Sequence, residues 1–103
     1  MSNKYGARRT YSALCNREFS SLAECIRGEE LELLQRGGVI KYLEYQPSYN
    51  LCLNPRITYT ADFQYFEDGE WVVEDVKGVL TRDTRTKLAW MKERYNIDVV
   101  LIR

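Results

Sequence analysis

The chain of 103 residues contains no histidine. That absence excludes Ser-His-Asp and Cys-His nucleophilic catalysis, histidine proton shuttling and most catalytic zinc sites. Any chemistry here must use Asp, Glu, Lys, Tyr or a metal. Cysteine is scarce: Cys15, Cys25 and Cys52 are odd in number, widely spaced and not in a CxxC pair, which favours neither a disulfide framework nor a zinc site. No apolar run approaches the ~18 residues of a membrane span. The polar start MSNKYGARRTYS lacks the apolar core of a signal peptide, so the expectation is a cytoplasmic protein without a membrane partner. Excess charge of one sign is also missing: 15 basic and 15 acidic residues cancel, which argues against a protein that coats nucleic acid along its length.

A hydrophobic content of 45% with 29% charged residues is ordinary for a globular protein, and the length suits one domain near the lower end of comfortable core size. The charges are unevenly placed. Lys4, Arg8, Arg9 and Arg17 make the start basic, and Arg82, Arg85, Lys87, Lys92 and Arg94 form a second basic stretch. Residues 1–18 lack periodicity and read as a basic, flexible arm; residues 19–103 read as the single domain.

The most informative stretch is Ile57 to Val79, ITYTADFQYFEDGEWVVEDVKGV. Asp68-Gly69 between two runs of β-branched and aromatic residues signals a β-hairpin. With these two as the loop, Glu67 faces Glu70, Phe66 faces Trp71, Gln64 faces Val73 and Asp62 faces Asp75. Alternation then puts Thr58, Thr60, Asp62, Gln64 and Phe66 on one face with Trp71, Val73, Asp75 and Lys77. Ile57, Tyr59, Ala61, Phe63 and Tyr65 point the other way with Val72 and Val76, and Glu74 also projects away from the Asp62 face. Opposed like charges cost roughly 0.2–1 kcal/mol on a sheet, more when half-buried. A divalent cation or Lys77 would relieve that, and hard cations such as Mg²⁺ favour a few carboxylates plus water and phosphate oxygens. A three-residue loop would instead set Asp62 opposite Val76 or Glu74.

Around this hairpin, Ser20 or Ser21 opens a helix, LAECIRGEELELLQR, that stops at Gly37-Gly38. Its apolar stripe is expected to be Phe19, Leu22, Ala23, Ile26, Leu33 and Leu34. Ser21 and Glu24 fit a capping box, which accounts for Glu24 without any function. Val39–Gln46 and Tyr49–Leu53 read as a strand bent at Pro47, with Asn54-Pro55 as the turn that follows. A second helix runs from Arg82 or Asp83 to about Tyr95, with Thr84, Leu88, Met91 and Tyr95 at helical spacing. Ile97–Ile102 is an apolar strand of the kind found inside a sheet covered on both sides. The fold class is α/β (α+β), of order α-β-β-β-α-β, a mixed central sheet flanked by helices.

That order, the aspartate closing TAD at Asp62, the Asp75-Val76-Lys77-Gly78 segment and the helical Glu24 together resemble the PD-(D/E)XK nuclease superfamily with its restriction-endonuclease-like core. The string from SSLAECIRGEE through VVEDVKG is similar to small phage-borne members, Holliday-junction resolvases and transposition endonucleases. Thr60-Ala61 stands where proline commonly precedes the aspartate, and Asp75 takes the second acidic position. The resemblance implies metal-dependent endonuclease activity on phosphodiesters, in DNA and in branched recombination or replication intermediates. It implies Mg²⁺, with Mn²⁺ able to substitute, held by Asp62, Asp75, the Val76 carbonyl and Glu24, and Lys77 acting on the attacking water. Arg82, Arg85, Lys87, Arg8 and Arg9 would contact the nucleic-acid backbone, while Gln46 and Glu74 are cleft candidates. Action on a two-fold junction would suit a homodimer, with Tyr42, Tyr45 or Trp90 available to it. The alternative is a catalytically inactive nuclease-fold module that binds nucleic acid or a host protein.

Overall fold

The computed structural model describes residues 8–77 and 79–102; the first seven residues of the expected arm, with Lys4, and Gly78 and Arg103 lie outside the described residues. The fold is mixed α and β. A hairpin of β1 (Thr10–Ser12) and β2 (Arg17–Phe19) precedes α1 (Leu22–Arg36). There follow β3 (Lys41–Tyr45), β4 (Ser48–Leu53), β5 (Arg56–Thr60), β6 (Phe63–Glu67), β7 (Glu70–Val76), α2 (Arg82–Tyr95) and β8 (Val100–Ile102). The central sheet has the order β3-β6-β7-β8, antiparallel except for the parallel β7–β8 pair. A parallel pair needs a crossover, and α2 is that crossover. No helix of the described residues is long and apolar enough to cross a membrane.

The first correction concerns the arm. Residues 10–19 form a packed hairpin: Ser12 is buried, donates to Glu29 Oε2 at 2.6 Å and accepts from the Cys15 amide at 3.0 Å. Arg36 reaches the Leu14 carbonyl at 3.1 Å. Phe19 anchors the hairpin in the core, its ring T-shaped against Tyr45 at 5.9 Å. The ring sits on Gly28, where a Cβ would come within 2.6 Å of it; the helix carries a residue of poor propensity because only glycine admits the ring.

Ser21 caps α1 by accepting from the Glu24 amide at 3.1 Å, and the helix ends at Gly37 as read from the sequence. Its inward face differs from expectation. Cys25, Gly28 and Leu31 are buried, with Leu34 against them, while Leu22, Ala23, Ile26 and Leu33 are exposed. The helix is turned so that Gly28 meets Phe19 and Arg27 meets Glu74 of β7. Thr81 caps α2, whose Met91 is completely buried. β8 is shorter than expected and lies at the edge of the described sheet, with Val100 exposed, rather than inside it.

β3–β4 and β5–β6 form one long antiparallel ribbon that bends. Tyr45 pairs with Phe63 before the bend and Ser48 with Thr60 after it, so the register continues through it. At the corner Gln46 donates to the Asp62 carbonyl at 2.9 Å, and Ala61 to that of buried Pro47 at 3.0 Å. Pro47 lacks an amide to donate, and the ribbon breaks there on both strands. This overturns the expected common face. Phe63 and Tyr65 pack on the α1 side with Phe19, Cys25, Leu31 and Ile40. Tyr59 and Ala61 pack on the α2 side with Leu51, Val73 and Met91. Each fully buried large side chain contributes roughly 1.5–3 kcal/mol, enough to hold the bend from both sides.

Candidate active site at the Asp62 corner

The hairpin register is the one the Asp68-Gly69 loop dictates: Glu67 pairs with Glu70, Phe66 with Trp71 and Gln64 with Val73. The ladder ends one step short of Asp62–Asp75, at Phe63–Glu74. Beyond it β6 swings away with the bend, and the Asp62 amide donates to the Glu74 carbonyl at 3.1 Å. The departing strand leaves the Val76 amide without a ladder partner, and Asp62 Oδ2 accepts from it at 2.7 Å. The corner therefore fixes the Asp62 carboxylate beside β7, the strand that carries Asp75 and is followed by Lys77.

Asp75 is buried, with 1% of its surface exposed. Its Oδ2 accepts a hydrogen bond from the Tyr59 hydroxyl and lies 3.3 Å from Lys77 Nζ. Asp62 is pushed up to about 8, first by burial, then by its hydrogen bond with Asp75 and by the charges of Asp75 and Glu24, against the opposing pull of the Val76 amide. Glu24 is raised too, chiefly by burial and further by Asp75, while the Ser20 backbone and Lys77 pull it down. Three carboxyl groups and one ammonium thus act on each other across the corner. Half of the capping reading of Glu24 holds as well, since Ser21 accepts from its amide.

The oxygen donors here are of the type Mg²⁺ or Mn²⁺ takes, and a carboxyl held up by a neighbouring carboxyl is one that a cation would relieve. Among the described residues no three acidic or cysteine side chains stand close enough together to hold an ion. Asp62 and Asp75 are the two carboxylates here that could take part in holding an ion, and Glu24 does not stand close enough to make a third.

Glu74 does not line this cleft. It is buried on the α1 side, where Arg27 grips it through Nε at 2.8 Å and Nη2 at 2.7 Å and the Tyr65 hydroxyl adds a hydrogen bond. Gln46 contributes its backbone to the corner while the residue itself is exposed. Arg82 and Arg85 are exposed on α2, and Lys87 pairs with Asp83 at 3.6 Å. Arg9 pairs with Glu18 at 2.6 Å, and Arg8 is exposed. None of these five cations bonds to Asp62, Asp75 or Lys77 among the described residues. Tyr59, Arg27 and Tyr65 were missed from the sequence. A buried carboxylate demands a donor, but which tyrosine or arginine supplies it depends on the ribbon bend.

A family model described as "Protein of unknown function (DUF1064)" matches residues 2–102. The chain belongs to the DUF1064 family. The DUF1064 match includes Glu24, Asp62, Asp75 and Lys77, so the whole corner lies inside the family's extent. No curated protein and no solved structure matches the chain.

Proposed function

We propose that the Asp62 corner is the active site of a metal-dependent endonuclease acting on DNA, branched intermediates included. The observation that carries the proposal is the convergence of two carboxylates and an ammonium at one strand break: Asp62 raised first by burial and then by Asp75, and Asp75 3.3 Å from Lys77. The PD-(D/E)XK resemblance supports it, with the β3-β6-β7-β8 sheet and its two helices as the restriction-endonuclease-like core. A cytoplasmic setting, in a host cell for a phage-borne protein, belongs to the same reading.

Asp62 and Asp75, with the Val76 carbonyl and Glu24 through water, would hold Mg²⁺ or Mn²⁺, which supplies charge neutralisation on the phosphate and a bound water of lowered pKa. Lys77 is the group placed to orient that water and to meet a phosphate oxygen. Tyr59 holds Asp75 in position; burial and Asp75 push its hydroxyl well above its usual range, so it remains a donor at neutral pH. Arg82, Arg85 and Lys87, with Arg8 and Arg9, would bind backbone phosphates, making affinity salt-dependent.

A second reading has an observation of its own. Asp62 Oδ2 and Asp75 Oδ2 are already engaged by Val76, Tyr59 and Lys77, as in a nuclease-like module that binds without cleaving. The test is incubation with linear, supercoiled, single-stranded and four-way-junction DNA, and RNA, in Mg²⁺, Mn²⁺ or EDTA. Cleavage in Mg²⁺ that is abolished by EDTA, Asp75→Asn and Lys77→Ala is expected. Inertness of the folded wild type on every substrate defeats the nuclease reading.

A further inference from the structure

The central sheet ends in two edges, and they are built differently. On β3 the edge is blunted: Lys41 and Glu44 are exposed, and the register shifts between them, with Tyr42 in a left-handed backbone at φ 57°. Charges and bulges keep a foreign strand off an edge. β8 has neither. Its residues Val100, Leu101 and Ile102 are uncharged and run in regular register against Glu74, Asp75 and Val76. Among the described residues they pair with β7 alone. Shortness, three residues, is the protection this edge keeps.

The Ile102 carbonyl accepts from the Lys77 amide at 3.0 Å, so Ile102 and, two residues back, Val100 direct their backbone groups at β7. Leu101 between them directs its N–H and C=O to the open side. On the α1 face, Val100 and Ile102 stand beside Glu74 and Val76, and a cavity of about 210 Å³ opens there between strand and helix. Ala23, Ile26, Arg27, Glu30, Val76 and Ile102 line it. Leu22 and Ile26 lie one turn apart on α1, each more than half exposed, and Val100 is exposed as well. The open edge therefore continues into an apolar strip on the neighbouring helix.

We infer that this edge is the interface of a homodimer, in which β8 pairs antiparallel with β8 of a second copy about a two-fold axis at Leu101. The strand fits its own image. Such an axis makes the two Leu101 residues exchange both backbone hydrogen bonds and sets Val100 against Ile102 of the partner subunit on the α1 face. All three side chains are apolar, so the strand pairing buries no unmatched charge. Area favours a second copy over an isolated strand. Three residues cover far less than the ~800 Å² a side of a stable interface, whereas a second copy brings its own Leu22–Ile26 strip to the same side of the joined sheet, and both helices then flank one apolar seam. The dimer stands apart from the nuclease reading, since it uses none of the Asp62, Asp75 or Lys77 side chains.

The test is the molar mass of the full chain by light scattering and sedimentation over a range of concentrations. Wild type should weigh two chains. Val100→Lys, at an exposed position, should raise the dissociation constant roughly a hundredfold with unchanged circular dichroism. Ile26→Lys should act alike from the helix side of the groove, and Tyr42→Ser at the opposite edge should keep the dimer. Leu101→Cys checks the register. Hydrogen-bonded antiparallel partners lie about 5.5 Å apart, within disulfide reach, so diamide should link two chains of Leu101→Cys, but neither wild type nor Val100→Cys. A wild type of one chain mass at every concentration overturns the dimer. So does a dimer that survives both lysine substitutions, one that Tyr42→Ser abolishes, or linkage in Val100→Cys in place of Leu101→Cys.

Discussion

Glu74 and Asp75 are neighbours on one strand, equally buried, and they meet opposite treatment on the two faces of the sheet. Glu74 receives a two-pronged grip from Arg27 and a tyrosine hydroxyl. Its charge is matched, and in return it drives Arg27 well above its usual range, principally through that hydrogen bond. Asp75 receives a tyrosine hydroxyl and a lysine, but a second carboxyl, Asp62, stands against it and is pushed upward, first by burial and then by Asp75. A charge neutralised within the protein serves the fold. A charge left in conflict at a strand break leaves room for a ligand, and that contrast separates the site from the scaffold.

The contrast breaks most severely on the α1 side. Arg27→Ala strands a buried carboxylate, a loss of roughly 3–5 kcal/mol, read by chemical denaturation. Replacing both partners, Arg27→Leu with Glu74→Leu, should recover most of that, because well-packed apolar residues often equal a buried ion pair.

Asp62→Asn should act with the opposite sign. Because folding raises the Asp62 pKa from near 4 to about 8, the folded protein binds more protons than the unfolded chain in that window. Stability associated with Asp62 is therefore complete below about pH 4, falls as pH rises toward 8, and is level above. In metal-free buffer the substitution should raise the unfolding midpoint at pH 8 by several degrees, roughly 1–2 kcal/mol, with no gain at pH 4. A flat difference between the two pH values would contradict the conflict. The smallest effect is expected from Tyr65→Phe, which removes one donor from Glu74 while Arg27 remains, for roughly 1 kcal/mol at denaturation equilibrium.

How far this was legible in the sequence follows from the range of each interaction. The hairpin register was legible because a two-residue Asp-Gly loop fixes it locally, from Glu67–Glu70 as far as Phe63–Glu74; the expected next pair, Asp62 with Asp75, does not form, because the ribbon bends there. The ends of α1 and α2 were legible from Ser21, Gly37 and the helical spacing to Tyr95. The bend was half legible: Pro47 announced a break in one strand, but its transmission to Ala61-Asp62 needs the pairing of the two strands, and the faces of Tyr59 and Ala61 changed with it. Arg27 lies 47 residues from Glu74, and nothing local in α1 marks it as the partner. The N-terminal hairpin was missed because its stability comes from Phe19 in a slot at Gly28 and from Ser12 on Glu29, contacts made only after α1 forms.

The central claim, that Asp62 and Asp75 form an unresolved pair that a divalent cation completes, is tested most directly by thermal unfolding at pH 8 in EDTA and in Mg²⁺. Wild type should gain about 1.4 kcal/mol at a tenfold excess of cation over its dissociation constant, and Asp75→Asn should gain nothing. Identical wild-type midpoints in EDTA and in saturating Mg²⁺ or Mn²⁺, or an equal gain in the variant, would contradict it.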